Sequence, residues 1–347
     1  MARRRPPSGH PRQPSALRRA ASGLAALILA GGAAAGAWVY YFTHAPVRLP
    51  ATPYEFTVHP GASLKSVARQ LAQDGVLAEP YTFWLLGRST GKSGAIQAGT
   101  YRLERALTPP ELLDKLARGD VVMVEALFVE GTTLKQWLTL LALNPEVKHT
   151  LPAGDGEEQL RSALGLEQPV EGWLFPDTYR FTPGATDIDI LKRAYAAMKR
   201  RLADAWASRA PDLPLKTPYE ALILASIIEK ETGQGGERPL VASVFVNRMR
   251  LGMRLQTDPT VIYGLGDKYD GRIHKRDLTT DTPWNTYTRD GLPPTPIAMP
   301  GAASLRAAVQ PAQTPFLYFV GRGDGTHEFS RTLEEHNRAV ARYQLGK

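Results

Sequence analysis

Between Thr217 and Gly233 the chain reads TPYEALILASIIEKETG, and no other stretch restricts the possible folds as strongly. Thr217 with Glu220 three residues later forms a capping box, and Pro218 sits at the first helical position, so a helix is expected to begin here. Ala221 to Ile228 is apolar apart from Ser226. A helix that is apolar around its circumference has no face to offer water and must be enclosed by other elements. Glu229 follows on the face of Leu222, Ala225 and Ser226, close to a helix end marked by Gly233. Desolvation and the negative end of the helix dipole both raise a carboxyl pKa, which is what a general acid near neutral pH requires. The same residues also allow an ordinary surface Glu229 paired with Lys230. Glu231 points to a different face and is the second candidate.

The net charge of +8 is concentrated in a tail, because Arg3, Arg4, Arg5, Arg12, Arg18 and Arg19 precede any acidic residue. The remainder is close to neutral, which argues against a nucleic-acid partner. Cysteine is absent, excluding disulfides, thiolate metal sites and thiol nucleophiles. Ala20 to Phe42 carries no charge and matches the roughly 20 residues that span a bilayer as a helix, with Trp38, Tyr40 and Tyr41 at its far end as an interfacial belt. The alternative is a cleaved signal, with Ala35-Gly36-Ala37 as a small-x-small site. The expected layout is an Arg-rich cytoplasmic tail (1–19), a transmembrane helix (20–43), a linker (44–53) and about 300 residues on the trans side.

Two segments share one grammar. Val58 to Lys65 (VHPGASLK) aligns with Phe128 to Lys135 (FVEGTTLK), each a strand end, a Gly turn, a Ser or Thr cap and a helix start. Between them Gly99 to Leu103 reads as a strand, and Thr108 with Glu111 as a capping box for a helix to Arg118. Residues 54–125 are therefore expected to form a small α+β module and residues 126–347 a mixed α+β domain around the Glu-bearing helix.

Further on, Glu171-Gly-Trp173-Leu-Phe-Pro-Asp177-Thr-Tyr179 interleaves rings with carboxylates, a composition suited to a carbohydrate cleft as well as to a hydrophobic turn. Leu240, Val241, Val244, Phe245 and Leu251 stripe a second helix that Gly252 ends, with Asn247, Arg248 and Arg250 on its other faces and Arg254 beyond. Asp258 before Pro259 reads as a helix N-cap, and less readily as a second catalytic carboxylate. Asn285-Thr-Tyr287 precedes the Pro/Gly-rich run Gly291 to Gly301, expected as a rigid wall or rim. His327 and His336 lack the spacing of a metal pair, and no phosphate loop, dinucleotide fingerprint or nucleophile elbow is present, so neither metal nor cofactor is expected.

Taken together, ASIIEKET (225–232), VASVFVNR (241–248), LQTDPTVIY (255–263), Asn285-Thr-Tyr287, the Gly-Leu-Pro-Pro-x-Pro-Ile run and Glu335-His-Asn337 resemble the YceG-like (MltG) family of membrane-anchored endolytic murein transglycosylases. The resemblance runs from about residue 54 to the end, with no usable counterpart for Lys148 to Gln168. It implies a LysM-like character for the first module and Glu229 as catalytic acid. The implied reaction is cleavage of the bond between N-acetylmuramic acid and N-acetylglucosamine in peptidoglycan, leaving 1,6-anhydro ends. Glu171, Trp173, Asn247, Arg254, Gln256, Asn285 and Tyr287 are then candidates for sugar contacts. Location in the inner membrane with a periplasmic catalytic domain, and peptidoglycan synthases of the penicillin-binding class as partners, are also implied. A non-catalytic wall-binding scaffold and a hydrolytic muramidase are the rival readings.

Overall fold

The computed structural model describes residues 16–152 and 156–346. Most of the Arg-rich tail lies outside the described residues. The chain divides at Val122–Met123 into two compact units, where the sequence placed the boundary at 125–126.

The first unit opens with α1 (Ala16–His44), of which Gly23–His44 is long and apolar enough to cross a membrane. Leu24, Leu27, Ile28 and Leu29 are exposed along it, and Trp38, Tyr40 and Tyr41 are exposed near its end. The stretch expected as a free linker is instead tied down at its start. Phe42 and Val47 are buried in the core of this unit, Val47 N donates to Leu107 O at 2.7 Å, and Arg48 N to Val76 O at 3.3 Å. There follow β1 (Tyr54–Val58), α2 (Leu64–Gln73), α3 (Pro80–Ser89), β2 (Gly99–Leu103) and α4 (Pro109–Arg118). Strands β1 and β2 pair antiparallel with Phe56 opposite Tyr101. Alternation sends Phe56 and Val58 inward, where they meet Leu64, Val67 and Leu71 of α2 and Leu112 and Leu116 of α4. Ser63 caps α2, and Thr108 with Glu111 completes the capping box of α4.

The second unit repeats the opening grammar. Strand β3 (Val124–Leu127) leads through Gly131 (φ +75°) and the cap Thr133 into α5 (Leu134–Ala142), as β1 leads through Gly61 (φ +79°) and Ser63 into α2. After α6 (Glu157–Leu164), β4 (Thr178–Phe181) pairs antiparallel with β3. Then come α7 (Asp187–Ala207), α8 (Pro218–Glu231), α9 (Arg238–Arg250), α10 (Asp258–Leu265), α11 (Lys275–Thr279) and α12 (Ala302–Val309). The antiparallel pair β5 (Tyr318–Gly321) and β6 (His327–Ser330) and the helix α13 (Leu333–Tyr343) close the chain. The architecture is mixed α+β, built on two-stranded sheets.

Helix α8 packs against α7, α9, α10 and α12, and from Ala221 to Ile228 no residue is more than 4% exposed. Burying Leu222, Leu224, Ile227 and Ile228 contributes roughly 1.5–3 kcal/mol each. The Thr217 hydroxyl accepts from Glu220 N at 3.2 Å, but the Glu220 carboxylate accepts from Lys216 N, so only half of the expected box forms. Thr232, in extended conformation, ends the helix, and Gly233 does not adopt the left-handed geometry expected of it. Ser226, the polar exception in the apolar run, accepts from Ile297 N at 3.0 Å while donating to Ile223 O at 2.7 Å. The Pro/Gly run read as a rim is therefore partly core: Ile297, Ala298 and Met299 are buried, and Met299 exchanges backbone bonds with Gly131 and Thr132 at 2.9 and 2.8 Å.

Candidate active site

At 100° per residue, Glu229 and Glu231 leave the end of α8 on nearly opposite sides, and they meet different environments. The Glu229 side chain is 5% exposed. Its Oε1 accepts from Arg238 Nη2 at 3.0 Å and its Oε2 from Gly301 N at 2.9 Å. Together with Ser226 it fastens α8 to the 297–301 segment at two points one turn apart, and it ties α8 to the first turn of α9. Lys230 reaches the Gly131 carbonyl instead of Glu229. Both Glu229 oxygens are thus engaged by donors of the scaffold. Beside this pair, burial and the neighbouring Glu229 push the Glu130 carboxyl up, with Arg238 opposing.

Glu231 is partly buried and forms no ion pair among the described residues. Its carboxyl meets the Thr257 hydroxyl, a neutral partner. Desolvation pushes it up to about 7; the Thr257 bond lowers it, nearby Asp258 raises it, and His327 and Arg248 lower it from a distance. Thr257 is itself fixed, 2% exposed, with its N–H donating to Thr286 Oγ1 at 3.0 Å. Arg248, 8% exposed, donates to Leu255 O at 2.8 Å and Leu317 O at 2.7 Å, which pins the segment that carries Thr257. Asp258 does not occupy the cap position, which falls to Thr257. As the first residue of α10 it accepts from the Tyr287 hydroxyl at 2.6 Å, which corrects the N-cap reading.

The other residues singled out by sequence divide into two groups. Glu171, 5% exposed, accepts from Leu134 N at 3.1 Å and from the Tyr263 hydroxyl at 3.3 Å, serving the first turn of α5. Burial pushes its carboxyl to about 8. Trp173 stacks on Tyr219 with ring centres 5.8 Å apart and meets Tyr195 edge-on at 6.0 Å, a core wedge in place of a sugar platform. Asn247 donates to the carbonyls of Thr314 and Phe316 at 2.8 and 3.0 Å. Asn285, fully buried, donates to the carbonyls of Asp277, Leu278 and Thr280, folding the turn that precedes Tyr287. These four belong to the scaffold. Gln256 and Tyr287 instead adjoin Thr257, and Arg254 holds the Tyr287 carbonyl at 2.9 Å and Asp290 at 2.8 Å.

Sequence reasoning missed Arg238 and Thr257. Arg238 reaches Glu229 only because the loop after α8 reverses the chain, and Thr257 sits beside Asp258, the residue read as the cap. Among the described residues no three His, Asp or Glu side chains converge as metal ligands. What the arrangement offers is a carboxyl that burial pushes up to about 7, oriented by a fixed hydroxyl.

The model of the YceG-like family matches residues 56–342. Over 313 residues the chain is 31% identical to an endolytic murein transglycosylase of Bacillus subtilis (strain 168), covering 85% of this chain and 86% of that one. It is 25% identical over 321 residues to an endolytic murein transglycosylase of Streptococcus pneumoniae serotype 2, covering 83% of this chain and 58% of the relative. The crystal structure of a yceG-like protein from Listeria monocytogenes, 29% identical, superposes with a TM-score of 0.53 over 83% of this chain and 99% of that one.

Proposed function

The chain belongs to the YceG-like family, and on that premise we propose that it is a membrane-anchored endolytic murein transglycosylase in which Glu231 is the acid. The reading of the sequence put Glu229 in that role. The observation that carries the change is the contrast between the two carboxyls: Glu229 is held by Arg238 and Gly301 N, whereas Glu231 is desolvated and, among the described residues, bonded to the neutral Thr257 hydroxyl alone. A general acid must hold a proton near working pH and reach the leaving oxygen. Glu231 meets the first condition, and no cation or backbone donor among the described residues holds its carboxyl away from the second.

Glu231 donates its proton to the glycosidic oxygen between N-acetylmuramic acid and N-acetylglucosamine as positive character develops at the muramic C1. The resulting carboxylate then takes the proton of the C6 hydroxyl on the same sugar, and that oxygen closes on C1. The bond broken and the bond formed balance without water, so no second carboxylate is needed. Asp258 fits this single-acid scheme as the residue that orients Tyr287. Named relatives that are transglycosylases disfavour the non-catalytic scaffold.

The finer assignments rest on sequence pattern: α1 as a bilayer anchor with its Arg-rich end cytoplasmic, the catalytic unit in the periplasm, the first unit as a LysM-like glycan-binding module, and synthases as partners. The test is mass spectrometry of purified glycan strands incubated with the full chain in detergent. New 1,6-anhydro ends from the wild type and Glu229→Gln, and none from Glu231→Gln, support the proposal. Reducing muramic ends from the wild type would overturn it in favour of hydrolysis.

A further inference from the structure

Two non-glycine residues among those described have positive φ, Asp212 at 63° and Gln256 at 50°. Asp212 lies in an exposed turn, where a short acidic side chain tolerates this conformation. Gln256 has no such excuse, because a long side chain is strained there and glycine would not be. The surroundings enforce the strain: Gln256 N donates to Thr286 O at 3.2 Å, Leu255 before it is 1% exposed, and Thr257 after it is 2% exposed. The side chain itself is exposed and makes no hydrogen bond among the described residues. Strain held in place by its neighbours, on a residue whose side chain does nothing for the fold, points to use by a ligand.

Resting on the assignment of Glu231 above, we propose that Gln256 reads the 2-acetamido group of a sugar bound across Glu231, and so sets the preference for N-acetylated strands. For its proton to reach a glycosidic oxygen, the glycan must lie against Glu231, whose carboxyl meets the Thr257 hydroxyl. Gln256 is the adjacent residue, and its polar group is uncommitted. Asp258 is already bonded to Tyr287. A primary amide carries a donor for the acetamido carbonyl and an acceptor for a neighbouring hydroxyl or N–H. Being neutral, it does so without stabilising the Glu231 carboxylate, as a Lys at this position would.

The test is an enzyme-by-substrate cycle with the full chain in detergent: wild type, Gln256→Gly and Gln256→Asn, each on N-acetylated and on N-deacetylated glycan strands. Glycine relieves the backbone, so its melting temperature is expected to equal or exceed that of the wild type. Its kcat/KM on acetylated strands is expected to fall about 3- to 10-fold, the size of one lost hydrogen bond. The wild-type preference for acetylated strands should shrink by the same factor in both variants, because the Asn amide stops one methylene short. If Gln256→Gly keeps the wild-type rate, or loses rate equally on both substrates, the residue serves conformation alone and the proposal fails. Absence of 1,6-anhydro ends from the wild type on any strand is a different result, which removes the assignment of Glu231 and this inference with it.

Discussion

Replacing Glu231 by Gln should disable cleavage while making the protein more stable at alkaline pH, a combination that a merely structural glutamate would not produce. The carboxyl sits at about 7 against an ordinary 4.5. Since a tenfold change in proton affinity corresponds to about 1.4 kcal/mol, the folded state carries roughly 2–3 kcal/mol of penalty on the charged form once partial exposure is allowed for. The sign follows from proton binding. Below pH 4.5 both folded and unfolded chains are protonated and the penalty is absent. Between 4.5 and 7 the unfolded chain has released its proton and the folded chain has not, so stability falls as pH rises, and above 7 the loss is complete. Gln keeps the shape, can still accept from Thr257, and has no proton to lose. At pH 8 the variant should therefore melt roughly 5–10 °C above the wild type, at 2–4 °C per kcal/mol for a unit of this size, and the gap should close towards pH 4.5. Loss of the acid should cost about two to four orders of magnitude in glycan cleavage. The assays are thermal unfolding from pH 4.5 to 9 and the release of 1,6-anhydro ends. Parallel melting curves, or cleavage within tenfold of the wild type, would falsify the assignment.

Glu229→Gln should lose about 1–3 kcal/mol, because the largely buried Arg238 is left without its anion, yet keep most cleavage well below its melting temperature; an inactive but stable variant would return the acid role to Glu229. Gly172→Ala should destabilise by more than about 2 kcal/mol in a denaturant titration, since φ is +81° and a Cβ would lie 2.4 Å from the rigid Pro296 ring. Asn285→Asp places a carboxylate against three carbonyls and should cost about 3–5 kcal/mol of stability; an intact melting temperature with a raised KM would instead mark Asn285 as a sugar ligand. Asp258→Asn can still accept from the Tyr287 hydroxyl, so its initial rate should stay within a few-fold of the wild type, and Asp258→Ala should be the more damaging change; equal loss in both would reveal a chemical role for that carboxylate.

How much was legible in the sequence depended on the range of the interaction. Local signals worked well: the Ser63 and Thr133 caps, the strand Gly99–Leu103 and the all-round apolar run of α8 are decided within a few residues of themselves. The site was harder because polar residue type does not tell what a side chain bonds to. Asn247, Arg248 and Asn285 carry groups suited to sugars, but each is consumed by backbone carbonyls far away in sequence or across a tight turn. Conversely, nothing in the spacing of Glu229 and Arg238 announces an ion pair across a loop. Burial does push up a carboxyl at the end of α8, that of Glu231, but the sequence offers two glutamates there. Only the partners on each face tell them apart.

The join between α1 and the first unit has a mechanical consequence. A free ten-residue tether from His44 to Pro53 would let its cargo wander by roughly 15–20 Å. Phe42 and Val47, seated in the core, and the bonds from Val47 and Arg48 to Leu107 and Val76 remove that freedom. The helix thus ends in a rigid collar. With α1 in a bilayer, the first unit would be carried at a height and tilt set by its own dimensions and not by slack in the chain.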